Sequence, residues 1–211
     1  MLNKSSTALS LDKYLQLRDE GCLVIDTRLP VEVKTGYIPN SVFVPVLSST
    51  AFVTWIGSVV PKDQKILLIC SLGQEQEVIE RLFSLGYRNI QGHLEGGLTT
   101  WRNADKLIQQ YQCISAQDFA KKLQDKPFII DVREESVCEK GMFDGAHQIS
   151  MDKLMSKISE IPQDQPVYVH CSQGGKSFVA YTLLRSNGLQ NVVDVAGGLN
   201  TVLKFGAELK V

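Results

Sequence analysis

The sequence lacks long apolar runs and carries almost no net charge, and each absence excludes a class of function. No segment approaches the ~20 consecutive apolar residues that a membrane span requires. The stretch 1–17 also lacks the apolar block of a signal peptide, so we expect a protein that does not enter a membrane. The formal net charge is −1 over 211 residues, so the sequence does not favour nucleic acid or an anionic membrane as a partner.

Histidine is scarce and the cysteines are not paired in spacing. The three histidines, at 93, 147 and 170, form no HxxxH pattern, and no CxxC occurs, so we predict no metal cofactor. Five cysteines are an odd number, which is typical of a reducing compartment and predicts a cytoplasmic protein. The 44% hydrophobic content is enough to build a buried core.

The sequence contains one internal repeat. The segment beginning at Val24, VIDTRLPVEVKTGYIPNS, aligns with IIDVREESVCEKGMFDGA beginning at Ile129, at an offset of 131 − 26 = 105 residues. Further along, KILLICSLG aligns with PVYVHCSQG, which pairs Cys70 with Cys171 at an offset of 171 − 70 = 101. A period near 100 residues is too long for a solenoid repeat. We therefore predict two tandem domains, 1–104 and 112–211, joined within 103–113.

Both copies alternate short apolar runs with amphipathic stretches. CLVID and KILLIC in the first copy, and FIID and PVYVH in the second, are typical of buried strands. A helix ending near Gly86 and another running from about Ser177 to Gly188 follow the cysteines, and Ser10 and Ser115 are the expected N-caps of the leading helices. This alternation predicts an α/β fold, with a mostly parallel sheet flanked by helices in each domain.

The second cysteine follows a predicted strand and precedes a glycine-containing loop. Ligand sites in parallel sheets form where strands end and loops enter helices. Backbone N–H groups at a helix N-terminus point into such a loop and favour negative charge. Gly174 and Gly175 allow the backbone to curve tightly, and Lys176 adds a positive charge. The sequence CSQGGKS therefore predicts a loop that stabilises a thiolate, or a persulfide anion, on Cys171.

Both halves resemble rhodanese domains, the family that carries sulfane sulfur as a cysteine persulfide. The second half does so through DVRE at 131–134, GMFDGA at 141–146, CSQGGKS at 171–177 and GGL at 197–199. The resemblance implies a sulfurtransferase that moves sulfur from thiosulfate or a persulfide to a thiol or cyanide, so small sulfur donors and thiol acceptors are its expected partners. It implies that Cys171 carries the sulfur in a loop formed by Ser172, Gln173, Gly174, Gly175, Lys176 and Ser177.

The first half resembles the family in its scaffold and departs from it in its loop. GYIPNS and EGGLTTW match the family, but the loop reads CSLGQEQ, with Cys70, Gly73 and Glu75 at its defining positions. Glu75 stands where the second copy has Lys176. A carboxylate near a thiolate or persulfide is repulsive, so we expect this loop to be degenerate.

A narrower resemblance concerns the longer insertion of the first copy. AFVTWIGSVVP, at 51–61, together with one degenerate and one intact loop, looks like the C-terminal half of bacterial metallo-β-lactamase–rhodanese fusions. Those proteins resemble persulfide dioxygenases, which implies an iron-containing persulfide dioxygenase domain as a partner. The chain is then either a fragment of such a fusion or a stand-alone relative.

Two other functions remain open at this stage. A cysteine-dependent phosphatase also places a cysteine after VH, but it needs a loop one residue longer, closed by arginine at the position of Ser177. A non-catalytic interaction module fits the first copy better than the second.

The remaining polar residues have structural interpretations. Asp131 with Arg133, and Asp26 with Arg28, are expected to form buried ion pairs that support the site. His170 is expected at a strand end with one nitrogen hydrogen-bonded. His93 and His147 are expected in loops, and Cys22, Cys113 and Cys138 are expected to pack in the interior.

Overall fold

Each half of the chain folds as a separate α/β unit in the computed structural model, which describes residues 7–46 and 52–210. Contacts divide the chain into Met1–Tyr111 and Gln112–Val211. The segment 105–111, between the two predicted domains, packs on the first unit, where Tyr37 forms an antiparallel bridge with Gln109. The matching bridge in the second unit joins Met142 to Lys210. Each unit is therefore closed by its own C-terminal segment.

The first unit alternates strands and helices along its described residues. Its strands are β1 (Ala8–Leu9), β2 (Leu23–Asp26), β3 (Val42–Phe43), β4 (Ile66–Ile69) and β5 (Ile90–Leu94). Its helices are α1 (Leu11–Asp19), α2 (Pro30–Lys34), α3 (Phe52–Val59), α4 (Glu75–Ser84) and α5 (Gly97–Asn103). The predicted helix that ends near Gly86 is α4, and Gly86 takes the left-handed conformation with φ of 91° just after it.

The second unit repeats this order. Its strands are β6 (Cys113–Ile114), β7 (Phe128–Asp131), β8 (Ala146–Gln148), β9 (Val167–His170) and β10 (Val192–Val195). Its helices are α6 (Ala116–Lys122), α7 (Glu135–Cys138), α8 (Gly175–Ser186) and α9 (Gly198–Val202), with short 3-10 turns at Leu123–Asp125, Ile158–Glu160 and Leu203–Phe205. Helix α8 begins at Gly175, two residues before the predicted start at Ser177, so part of the glycine loop belongs to its first turn.

The two sheets have the same topology and are parallel throughout. The strand orders are β1-β5-β4-β2-β3 and β6-β10-β9-β7-β8. The middle strands, β4 and β9, are buried at every residue, as expected for a strand covered on both faces. Cys70 and Cys171 follow these middle strands directly, which places each cysteine at the carboxyl edge of its sheet. The predicted α/β fold with flanking helices is confirmed.

The helices that cover the sheets begin where the sequence predicts. The hydroxyl of Ser10 accepts a hydrogen bond from the backbone N–H of Lys13, and Ser115 accepts one from Asp118. In the second unit Phe119 of α6 packs against Phe143 and Tyr168, with ring centroids 5.9 and 5.4 Å away. In 7–46 and 52–210, no helix is both long and apolar enough to span a bilayer.

A buried ion pair ties the end of one strand to the next turn in each unit. The guanidinium of Arg133 donates to both carboxylate oxygens of Asp131 at 2.6–2.9 Å and to the carbonyl oxygen of Gly141 at 2.9 Å. Arg28 repeats this arrangement with Asp26 and the carbonyl oxygen of Gly36. The predicted structural ion pairs are confirmed.

Two histidine predictions are wrong. His93 lies in β5 and is buried, and His147 lies in β8, where its ring stacks on Phe128 at a centroid distance of 4.3 Å. Both were expected in loops because neither shows a partner at regular spacing. Strand pairing with residues distant in sequence determines their positions.

The buried pair predicts a large and localised loss of stability when one partner is removed. Arg133→Met leaves the Asp131 carboxylate buried without its partner, which we expect to cost about 3–5 kcal/mol. Urea unfolding followed by circular dichroism measures the loss. Both tryptophans, Trp55 and Trp101, belong to the first unit, so their fluorescence provides the internal comparison. A loss below about 1 kcal/mol, the range of exposed pairs, contradicts the prediction.

Candidate active site

The backbone around Cys171 bends sharply from the middle strand into a helix. β9 ends at His170, Cys171 follows it, and α8 begins at Gly175. Gly174, the N-cap, takes the left-handed conformation with φ of 89°, which a residue with a Cβ rarely adopts. The turn therefore points the first N–H groups of α8 back toward the end of the strand.

The sulfur of Cys171 is buried within this turn and faces several donors. The N–H of Gly174 lies 3.1 Å from Sγ and the N–H of Ser177 lies 3.4 Å from it. The Cys171 thiol in turn donates to the hydroxyl oxygen of Ser177 at 3.7 Å. Backbone N–H groups at such distances are able to stabilise negative charge on a sulfur without a charged side chain, because their dipoles are fixed by the fold.

A second glycine turn holds the loop from behind. The N–H of Leu199 donates to the carbonyl oxygen of Cys171 at 2.8 Å, and that of Asn200 donates to Ser172 at 3.0 Å. A Cβ on Gly198 would lie 2.8 Å from the backbone nitrogens of Gln173 and Gly174, which is too close for any other residue. The GGL motif at 197–199 therefore forms a tight turn that packs directly against the loop after Cys171.

Lys176 is paired with a carboxylate. Its ammonium lies 2.7 Å from the carboxylate of Glu134, with side chains 19% and 55% exposed. Glu134 immediately follows the buried Asp131–Arg133 pair and occupies the N-cap position of α7, without a side-chain capping hydrogen bond. The positive charge predicted for the loop is therefore largely balanced within the protein. Sequence reasoning missed Glu134 because it lies 42 residues from Lys176.

His170 differs from its prediction. It is fully buried, and neither ring nitrogen makes a hydrogen bond of ordinary geometry within the described residues. The ring packs edge-on against Phe143 at 5.1 Å, and Nε2 is 3.6 Å from a carboxylate oxygen of Asp131. Burial lowers the pKa of His170, so the ring is neutral near pH 7.

The corresponding site of the first unit disfavours the thiolate. Burial raises the pKa of the Cys70 thiol to about 12, and the carboxylates of Glu75 and Asp26 act in the same direction, opposed by a hydrogen bond from Thr27. The Thr27 hydroxyl lies 3.4 Å from Sγ. Cys70 is therefore a protonated thiol over the physiological range, and the main cause is burial, whereas the prediction of a degenerate loop rests on the charge of Glu75.

The first-unit loop is held by different contacts. Gly73 takes the left-handed conformation with φ of 83°, as its counterpart Gly174 does. The hydroxyl of Ser71 donates to Glu32 at 2.6 Å, and the N–H of Leu29 donates to the same carboxylate oxygen at 3.0 Å. The first unit thus has the same turn as the second. Its loop is held by the Ser71–Glu32 hydrogen bond, whereas the loop of the second unit carries the Lys176–Glu134 ion pair.

The other cysteines lie outside these loops. Cys22 and Cys138 are buried as predicted, and burial raises the pKa of both thiols. Cys113 is exposed on β6, so its prediction as a packed residue is wrong. In the described part of the chain, no cluster of three or more His, Cys, Asp or Glu side chains could hold a metal ion.

In each unit a cysteine thus follows the middle strand of a parallel α/β sheet and begins a loop that leads into a helix. The model of the Rhodanese-like domain family matches residues 10–104 and again 115–204. These matches account for most of the sequence, and the chain belongs to the rhodanese-like domain family.

The relatives are similar at low identity. YqhL of Bacillus subtilis, an uncharacterized protein, is 35% identical over 85 residues, which span 40% of this chain and 65% of that protein. A sulfurtransferase of Allochromatium vinosum is 28% identical over 95 residues, 44% of this chain and 89% of that protein. The crystal structure of a rhodanese-related protein from Thermoplasma volcanium covers 47% of this chain and 98% of its own, with 28% identity and a TM-score of 0.44.

The Lys176–Glu134 pair predicts how the loop responds to charge. In Glu134→Gln the Lys176 ammonium loses its ion-pair partner and is available to attract an anionic reagent. We expect the ratio of the iodoacetate rate to the iodoacetamide rate at Cys171 to rise roughly twofold to fivefold, because partly exposed ion pairs couple by about 1 kcal/mol or less. Both reagents react with the thiolate, so a change in the thiolate fraction alters both rates equally and leaves their ratio unchanged. Mass spectrometry of the Cys171 peptide measures both rates.

The matched control is Glu135→Gln. This change removes a neighbouring carboxylate that lies 3.6 Å from Lys153 instead. We expect its reagent ratio to stay close to that of the parent protein. Equal ratios in both variants would show that Lys176 does not act on reagents entering the loop.

Proposed function

We propose that the chain is a sulfurtransferase that moves sulfane sulfur from thiosulfate or a persulfide to a thiol or cyanide through a persulfide on Cys171. The observation that carries this proposal is the position of the Cys171 sulfur among the N–H groups of Gly174 and Ser177, at 3.1 and 3.4 Å. Membership in the rhodanese-like domain family and the sulfurtransferase of Allochromatium vinosum support it.

The proposed reaction has two steps. The Cys171 thiolate attacks the outer sulfur of thiosulfate, the S–S bond breaks, and sulfite leaves with the bonding electron pair. An acceptor thiolate or cyanide then attacks the terminal sulfur of the persulfide, and the Cys171 thiolate is regenerated. The Cys171 thiolate and the persulfide intermediate are both anions on sulfur, which the loop N–H groups stabilise. No redox cofactor is required, because sulfur is transferred between nucleophiles.

In this proposal the residues of the Cys171 loop have different roles. Gly174, Gly175 and Ser177 supply the turn and the donors, while Ser172 and Gln173 form the rim of the loop. Lys176, balanced by Glu134, tunes the charge at the entrance. The Asp131–Arg133 pair fixes the neighbouring strand end and does not contact sulfur in this scheme.

We also propose the setting in which the reaction occurs. The odd number of five cysteines is consistent with a bacterial cytoplasm, and small sulfur donors and thiols are the proposed partners. The resemblance of 51–61 to metallo-β-lactamase–rhodanese fusions supports a persulfide dioxygenase domain as a further partner. Residue 51, at the start of that segment, lies outside the described residues.

The two copies should differ sharply in activity. Cys171→Ser should abolish sulfur transfer and the added mass of one sulfur atom, ~32 Da, because persulfide formation needs a nucleophilic sulfur. Cys70→Ser should retain most of both, since a thiol with a pKa of about 12 is almost entirely protonated near pH 7. Thiosulfate assays and intact-protein mass spectrometry measure these outcomes. Loss of activity in folded Cys70→Ser would instead require a relay between the two sulfurs.

A second prediction separates this function from a phosphatase. Ser177 occupies the position where a phosphatase needs arginine, and its N–H and hydroxyl face the cysteine sulfur, so no bidentate clamp for phosphate exists there. We expect thiol:thiosulfate sulfur transfer and essentially no hydrolysis of an aryl phosphate. Phosphatase activity that disappears in Cys171→Ser would contradict the proposed function.

A further inference from the structure

The first unit contains a cavity at the entrance of its degenerate loop. Its volume is about 350 Å³, which falls in the range of small-molecule sites. The cavity is bounded by the loop after β4, by α2 and by the start of α5. The side chains that matter for its chemistry are those of Val31, Glu32, Cys70, Leu72, Leu98 and Arg102.

Two walls of the cavity are apolar and exposed to solvent. Val31 is 67% exposed and Leu72 is 70% exposed, although both are large hydrophobic residues. By the repeat offsets of 105 and 101, their counterparts in the second unit are Ser136 and Gln173, which are polar. The fold therefore does not need apolar residues at these positions. Leu98, which is buried, extends the apolar wall toward the floor of the cavity.

The cavity also has a cation that the second unit lacks. Arg102, on α5, lines the cavity, and its guanidinium makes no ion pair or side-chain hydrogen bond within 7–46 and 52–210. At the same offset the second unit has Leu203. The other arginine of the cavity, Arg28, is already engaged by Asp26 and by the carbonyl oxygen of Gly36.

The carboxylate in the cavity wall is likewise engaged. Glu32 accepts hydrogen bonds from the Ser71 hydroxyl and the Leu29 N–H, so it is held against the loop. At the floor, the Cys70 thiol remains protonated near pH 7, because its pKa is raised to about 12. A ligand in this cavity would thus meet apolar walls, an uncharged thiol, the guanidinium of Arg102 and, on one wall, the hydrogen-bonded carboxylate of Glu32.

We propose that this cavity binds a small organic monoanion without a covalent bond, its acidic group on Arg102 and its apolar body against Val31 and Leu72. A guanidinium binds a carboxylate through two parallel hydrogen bonds, which gives the site both affinity and orientation. The apolar walls then select an acid with a hydrocarbon portion over an inorganic anion. This binding does not depend on sulfur transfer at Cys171.

The test uses the full chain carrying Cys171→Ser, so that chemistry in the second unit cannot contribute. The probes are 4-phenylbutyrate and 4-phenylbutylamine, which share a body and differ in the sign of the charged group. Calorimetry and saturation-transfer NMR measure binding at millimolar concentrations. We expect saturable binding of 4-phenylbutyrate and none of 4-phenylbutylamine.

Variants taken from the second unit locate the site. Arg102→Leu introduces the residue found at the equivalent position there, and we expect about tenfold weaker binding of 4-phenylbutyrate. Leu72→Gln should weaken it roughly threefold through lost apolar contact. Lys106→Leu, which removes an exposed cation outside the cavity lining, is the matched control and should bind as the parent does.

Three results would overturn the proposal. They are equal binding of the amine and the acid, unchanged affinity in Arg102→Leu, and the absence of saturable binding by 4-phenylbutyrate. Thermal unfolding of each variant shows whether the first unit remains folded. Because sulfur transfer is not measured, these results are separate from the outcome of the thiosulfate assay.

Discussion

The close approach of the Gly197–Gly198 turn to the end of β9 is the contact on which the second site depends. The strand ends at His170, so the Cys171 carbonyl finds its partner in the N–H of Leu199, at 2.8 Å. A Cβ on Gly198 would collide with the backbone nitrogens of Gln173 and Gly174. With the loop backbone fixed in this way, the N–H groups of Gly174 and Ser177 must face the sulfur, and the stabilisation of an anion follows from main-chain geometry.

Because main-chain N–H groups supply the anion stabilisation, Lys176 is not needed for it. A backbone dipole in a buried turn keeps its direction, whereas a lysine ammonium on a flexible stem can turn toward another carboxylate. Glu134 provides that carboxylate, at 2.7 Å. The entrance of the loop is thus close to neutral, while the sulfur itself remains surrounded by donors. Access to the site and stabilisation within it are therefore controlled by different residues.

The sequence predicted those features that depend on local pattern, and it missed those that depend on distant partners. The repeat offset, the strands, the capped helices and the spacing of Asp131 and Arg133 are all local, and each predicts its structure because neighbours in sequence interact. The Lys176–Glu134 pair joins residues 42 positions apart, so no spacing reveals it. His170 illustrates the same limit. Its surroundings come from Phe143 and Asp131 on other parts of the chain, and they leave both ring nitrogens without a hydrogen bond among the described residues.

The two units agree where folding requires it and differ where it does not. Both retain the buried aspartate–arginine pair, the left-handed glycine in the loop and the glycine turn behind it, because loss of any of these contacts would destabilise the sheet edge. The fold does not require the residues that line the cavity of the first unit. At the positions of Val31, Leu72 and Arg102 the second unit has Ser136, Gln173 and Leu203, and it adopts the same fold. Exposed apolar side chains contribute little to folding stability and favour association, so their position around a cavity needs a reason other than folding. Binding of a small organic monoanion would explain why apolar side chains line this cavity. The first unit would then have a binding function of its own, separate from sulfur transfer at Cys171.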